Sequence, residues 1–132
     1  MSADVILTGR VVTGVGQASG FTQLPWVKAL FIDRLGVDPY PGTLNIRLED
    51  PGQLASWRRI LQLEGITLPP PNADFCAAKG FKVTVAGSYP GAIILPLVQG
   101  YPDDTIEIIA PVHLKQTLGI EDGSLVSLKV TL

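Results

Sequence analysis

Thr43 and Asn45 stand side by side in the segment Pro39-Tyr40-Pro41-Gly42-Thr43-Leu44-Asn45. The prolines fix φ and the glycine tolerates angles that other residues avoid, so this segment predicts a tight turn. From Thr43 to Glu49 polar and apolar residues alternate, which predicts a half-buried strand with Leu44, Ile46 and Leu48 on its core face. Thr43 and Asn45 then share the opposite face at the strand mouth. A pair of neutral oxygen donors there suits a hard cation such as Mg²⁺, and the same alternation also describes an ordinary solvent face. A second candidate is the run Gly14-Val15-Gly16-Gln17-Ala18-Ser19-Gly20. Its backbone N–H groups can cradle phosphate, although it lacks the Gly-Lys-Ser/Thr ending of a P-loop and the strand–GxGxxG–helix context of a dinucleotide fingerprint. The plainer reading is a glycine-rich hairpin or bulge. The third is Glu107, a carboxylate inside the apolar run Thr105–Ala110. Buried there it needs a partner, unless it faces outward with Thr105.

Composition narrows the classes. The chain of 132 residues is 46% hydrophobic, a length that forms one domain (1–132) with a real core. No apolar run approaches the ~20 residues of a membrane span. No basic-then-apolar leader follows Met1, so no signal peptide is expected. A lone Cys76 excludes an internal disulfide and points to a reducing cytoplasm, and with a single histidine, His113, a zinc site would need carboxylates to complete it. A net charge of −2 without a basic stripe argues against nucleic-acid binding.

Elements must position these candidates. Val5-Ile6-Leu7 predicts a strand interrupted by Gly9 and continued by Arg10–Thr13. Pro25 to Gly36 predicts a helix with Val27, Leu30, Phe31 and Leu35 on its buried stripe. Asp50-Pro51 predicts an N-cap and first turn, Leu54, Trp57, Ile60 and Leu61 a second buried stripe beside exposed Arg58 and Arg59, and Gly65 the helix end. Pro69-Pro70-Pro71-Asn72 predicts a surface connection. Phe75–Ala78 and Phe81–Val85 about Lys79-Gly80 predict a hairpin, and Ser88-Tyr89-Pro90-Gly91 a turn. Ala92–Val98 reads as a strand buried on both faces, with Pro96 at an edge or bulge. The polar loop Gln99–Asp104 has the composition of a site border. Pro111 predicts the start of a short helix carrying His113, Leu114, Lys115 and Leu118, and Leu125–Val130 a final strand.

In that order the landmarks Gly9–Gly16, Leu35–Asn45 and Ile106–Pro111 with Leu114, Leu118 and Asp122-Gly123 resemble the archaeal-type CTP-dependent riboflavin kinase family. The resemblance runs from Gly9 to Val130. It implies a mainly β fold, a six-stranded cradle-loop β-barrel with short helices across its openings. It implies transfer of the CTP γ-phosphate to the 5′-hydroxyl of riboflavin, giving FMN and CDP, by a monomer with no nucleic-acid or membrane partner. Carried over by position, Thr43 and Asn45 ligate Mg²⁺. Val15, Gly16, Gln17, Ala18, Ser19 and Gly20 wrap the nucleotide, with Val112, His113, Leu114 and Lys115 as its second contact. Glu107 meets the flavin and is the candidate for orienting the attacking hydroxyl, and Gln99 holds the place of a flavin-binding threonine. The glycine loop departs from the family's Gly-x-Gly-Glu-Gly at Gln17 and Ala18, and Gly20 stands where the family has an aromatic residue. A diverged kinase of another small alcohol, a non-catalytic flavin or nucleotide binder, and a DNA-binding barrel are the alternatives.

Overall fold

The computed structural model describes residues 4–14, 22–70 and 77–132. The predicted nucleotide loop from Val15 to Gly20, and Phe75-Cys76, lie outside the described residues. Alternation of apolar residues produces the strands β1 (Val5–Val12), β2 (Leu44–Arg47), β3 (Ile66–Leu68), β4 (Ala78–Val85), β5 (Tyr89–Pro96), β6 (Thr105–Ile109) and β7 (Leu125–Thr131). They pair antiparallel in the order β3-β4-β5-β6-β2-β1-β7, and β7 returns to pair with β4. That last pairing, Lys82–Val85 of β4 against Leu128–Thr131 of β7, closes six strands into a barrel and leaves β3 appended to the other half of the β4 edge. Closure removes the open edges that a flat sheet would expose.

Inward residues Leu7, Ile46, Val83, Ile93, Ile106, Ile108, Leu128 and Val130 fill the barrel. Helix α2 (Pro51–Leu61) adds Trp57 and Ile60 to that core, and α3 (Leu114–Leu118) adds Leu114, so both pack across barrel openings. Helix α1 (Pro25–Leu35) has a different place. Its Val27, Phe31 and Leu35 pack on Ala92, Ile94 and Ile109, the outward face of β5 and β6, and on Leu68 of β3. Each such side chain contributes about 1.5–3 kcal/mol of burial. This explains why β5 is apolar on both faces: one fills the barrel and the other lies under α1.

The helix signals act as expected at most ends. Pro25 occupies the first turn of α1 and Gly36, at φ 70°, takes its left-handed C-cap. Asp50 caps α2 by accepting from the N–H groups of Gly52 and Gln53. Gly65 does not end α2, which stops at Leu61 with Gln62 as cap; Gly65 instead leads into β3. Pro111 does not start α3, which begins at Leu114 because the His113 side chain supplies the cap.

Neither Gly9 nor Lys79-Gly80 breaks its strand. A Cβ on Gly9 would stand 2.6 Å from the Arg47 carbonyl, and one on Gly80 would stand 3.0 Å from the Ile93 carbonyl and from a Leu35 methyl. Glycine is therefore used where another backbone or α1 crosses closely, and β4 runs unbroken from Ala78. The hairpin turn is one step later, at Ala86-Gly87. Both residues have positive φ, 52° and 74°, and Ser88 N–H donates to the Val85 carbonyl at 3.1 Å. That is the primed turn whose twist matches a hairpin. Pro90 and Gly91, expected in the turn, lie inside β5.

Candidate functional site

The turn from Pro39 to Gly42 is fixed to the barrel before the chain enters β2. Tyr40 N–H donates to the Ala110 carbonyl at 2.8 Å, Gln23 Nε2 donates to the Pro39 carbonyl at 2.8 Å, and Gly42 N–H donates to Thr22 Oγ1 at 3.2 Å. Thr22 is buried, at 1% exposure. Leu44 and Ile46 point into the core, so Thr43 and Asn45 stand half-buried on the outer face, as alternation requires. Asn45 Nδ2 donates to Thr43 Oγ1 over a long 3.4 Å. Half a turn of the amide brings Oδ1 to the same place and makes a pair of adjacent oxygens. Among the described residues no group of three His, Cys, Asp or Glu side chains could hold a metal ion. A cation here would rest on these two neutral oxygens and on a ligand's own anionic oxygens, which fits the preference of Mg²⁺ for few protein ligands plus phosphate and water.

These residues line a cavity of about 230 Å³, bordered by Thr13 and Gly14 at the end of β1 and by Val112, His113, Leu114 and Lys115 at the start of α3. The elements thus bring Thr43 and Asn45 together in one pocket with Val112–Lys115, the segment expected from the sequence to be a second nucleotide contact. Gly14 lies directly over Asn45, since a Cβ there would be 2.5 Å from Nδ2. With Gly14 on one side and Thr22 bonded to Gly42 on the other, the chain leaves and re-enters the described structure at the pocket itself.

His113 Nδ1 accepts from Gln116 N–H at 3.2 Å. Its ring meets Tyr40 edge-on, with centroids 5.3 Å apart and planes at 80°. Lys115 Nζ bonds Asp122 Oδ1 at 2.8 Å, and the Thr13 hydroxyl donates to Asp122 Oδ2. Asp122 therefore ties the two walls of the pocket together. The Lys115 bond first, and the Thr13 bond second, hold its carboxyl below the ordinary value of 3.8. Because the folded-state value is depressed, the link is present above the unfolded value and is lost as pH falls through the lower, folded one, in acid below about pH 4. Carboxyl-carbon NMR of the folded protein is expected to show Asp122 titrating below 3.8, and Lys115→Ala is expected to move its midpoint upward. A midpoint unmoved by that substitution would show that the ammonium is not the cause.

Glu107 lies outside this cavity but next to it. Antiparallel register sets Asn45 of β2 opposite Glu107 of β6, which in turn faces Ile94 of β5. Opposed residues project to the same face with Cβ atoms about 5 Å apart. The carboxylate thus sits between Asn45 and the apolar ground under α1, half-buried. It has a partner: Tyr101 Oη donates to Glu107 Oε1 at 2.5 Å. Burial first, then the bond and the charge of Glu107, push the Tyr101 phenol well above its usual range, so it remains a donor through neutral pH. Tyr101 was legible only as part of a polar loop; no local pattern joins it to Glu107. Gln99 is exposed on that same loop and does not line the cavity.

The molecule is a closed antiparallel barrel with a pocket at one strand mouth and a carboxylate on the neighbouring strand. Comparison gives the family. A family profile for the CTP-dependent riboflavin kinase domain, described as a domain of unknown function, DUF120, matches residues 11–130. The chain is 40% identical to a protein named riboflavin kinase from Pyrobaculum arsenaticum over 98% of its own length and 62% of that relative. It is 37% identical to the riboflavin kinase of Archaeoglobus fulgidus, over 96% of this chain and 54% of the relative. The riboflavin kinase of Sulfurisphaera tokodaii is 35% identical, with 96% of this chain and 95% of the relative covered. The chain spans less than two thirds of the length of the first two of these relatives, and most of the third. It belongs to the CTP-dependent riboflavin kinase domain family. Among the described residues no helix is long and apolar enough to cross a membrane.

Proposed function

We propose that the chain phosphorylates riboflavin to FMN with CTP as donor. The observation that carries this reading is the register Asn45–Glu107. It sets the residue proposed to hold a phosphate-bound cation opposite the residue proposed to meet the acceptor hydroxyl, on adjacent strands. In the reaction the riboflavin 5′-oxygen bonds to the γ-phosphorus, the bond from that phosphorus to the β,γ-bridging oxygen breaks, and CDP leaves. The hydroxyl proton passes to Glu107 or to solvent. Phosphoryl transfer needs positioning and charge stabilisation more than covalent chemistry from the protein, so a small site of this kind suffices.

Thr43 and Asn45 would hold Mg²⁺, which when bound neutralises charge on the phosphate oxygens. Residues 15–20 would wrap the phosphates with backbone N–H groups. His113 and Lys115 would bound the nucleotide on the α3 side, and Asp122 keeps the Lys115 ammonium at the pocket wall. Glu107 would accept a hydrogen bond from the ribityl chain and orient the attacking oxygen. Gln99, on the loop over Glu107, would meet the flavin from outside. The names of the relatives support riboflavin as acceptor, and the family's name supports CTP.

The test is direct. The protein is incubated with riboflavin, Mg²⁺ and either CTP or ATP, and FMN is sought by chromatography. FMN with CTP alone is expected. FMN with ATP alone would overturn the donor, and no FMN with any nucleoside triphosphate would overturn the kinase.

One substitution probes the geometry rather than the donors. Gly14→Ala adds a methyl 2.5 Å from Asn45 Nδ2, so the Asn45 amide must shift from its place beside Thr43. Because misplacement of about 1 Å can cost on the order of 10²-fold, kcat/KM is expected to fall by about that factor. Gly14 is exposed and outside β1, so the melting temperature is expected to stay within a few degrees of wild type. Steady-state kinetics and thermal melts check both halves.

A further inference from the structure

Tyr101 belongs to a loop fixed at both ends. Leu97 N–H donates to the Ala77 carbonyl at 2.9 Å, and at the far end the Asp104 carbonyl accepts from Leu48 N–H at 2.8 Å while Asp103 pairs with Arg58 at 3.2 Å. Among the described residues the loop between these anchors touches the site through one side-chain bond, the phenol of Tyr101 on Oε1 of Glu107. Among the described residues no donor is on Oε2 of Glu107. The carboxylate is thus half satisfied, with one oxygen held and one open, on the face it shares with Asn45.

From this we infer that Tyr101 is a positioning residue for the acceptor's hydroxyl chain. A free glutamate side chain samples several rotamers, and ordering it on binding costs side-chain entropy. The charge-assisted bond from Tyr101 fixes the plane of the carboxylate beforehand and leaves Oε2 as the oxygen that accepts from a substrate hydroxyl. A phenol that stays protonated is suited to this work because it can only donate to an ionised partner. The inference rests on the proposal that Glu107 meets the ribityl chain of riboflavin. It adds that recognition of the chain, and not of the ring, depends on Tyr101.

The experiment separates the two. Riboflavin and lumiflavin, the same ring without hydroxyls, are titrated into wild type and Tyr101→Phe without nucleotide, following flavin fluorescence. Wild type is expected to bind riboflavin more tightly than lumiflavin. Loss of a hydrogen bond to a charged group is expected to weaken riboflavin about tenfold in Tyr101→Phe and to leave lumiflavin within about twofold. Equal weakening of both ligands, or none, would overturn the role of Tyr101 while leaving the acceptor reading intact. Wild type binding riboflavin no better than lumiflavin would overturn the Glu107 contact and the inference with it. Should Tyr101→Phe lose its fold by thermal melt, Glu107→Gln is titrated instead; it retains an acceptor for the phenol but not the charge. Riboflavin must then weaken and lumiflavin hold, and any other pattern overturns the inference.

Discussion

Thr43→Ala combined with Asn45→Ala is expected to reduce FMN formation by at least about 10³-fold, the scale set by removing groups that stabilise charge in a transition state. Neither side chain supports the barrel. Both project from the outer face of β2 and are half-buried, while Leu44 and Ile46 on the other face carry the packing. Their loss is expected to change stability by about 0.5 kcal/mol or less, as for surface positions generally. FMN measured by chromatography over a range of Mg²⁺ concentrations, beside a thermal melt, gives both numbers. The single variants are expected to lose less than the pair and to recover in part at high Mg²⁺, because one oxygen and the phosphates still hold the cation. A folded double variant with more than a tenth of wild-type turnover would remove these residues from the site.

The largest effect on stability is expected at Trp57. It is fully buried, at 0% exposure, in the core that α2 and the inward strand residues share. Trp57→Ala leaves a cavity at the junction of the helix and the barrel, and such truncations cost about 3–5 kcal/mol. For a chain of this size that corresponds to a fall in Tm of about 10–20 °C. Trp57→Phe sharpens the point. Among the described residues the buried indole Nε1 has no hydrogen-bond partner, so its removal leaves no acceptor stranded. Phenylalanine is therefore expected to cost about 1.5 kcal/mol or less. Denaturant melts of the two variants decide it, and a Phe variant as unstable as the Ala variant would mean that the indole N–H is in use.

Two of the strongest local signals place the site without deciding its chemistry. The Pro-Gly turn followed by alternation sets Thr43 and Asn45 on one face, because strand side chains have a period of two whatever the strand pairs with. The Asp50-Pro51 pair and Gly36 mark helix ends through capping that involves only near neighbours. The misread elements share a different cause. Gly9, Gly80 and Gly91 look like breaks in a sequence, yet they lie inside strands, where a Cβ would meet a neighbouring carbonyl within about 3 Å. A glycine used for close approach and a glycine used for a turn look alike until the neighbour is known. For the same reason the hairpin was expected at Lys79-Gly80 and formed at Ala86-Gly87, and the three-residue β3 had no pattern long enough to announce it.

Thr43, Asn45 and Glu107 show where the boundary lies. Sequence alone determined that Thr43 and Asn45 are neighbours, that Glu107 is a strand carboxylate in need of a partner or solvent, and that the landmarks of the family stand in order. Tertiary structure decided the rest: that β2 and β6 are adjacent, that their register sets Asn45 opposite Glu107, and that Tyr101 is the partner. Facing follows from the backbone of a single strand. Adjacency and register follow from closing the barrel, where the β7–β4 pairing and the packing of α1, α2 and α3 fix which rung meets which. Those constraints join residues far apart in the chain, and no local spacing contains them.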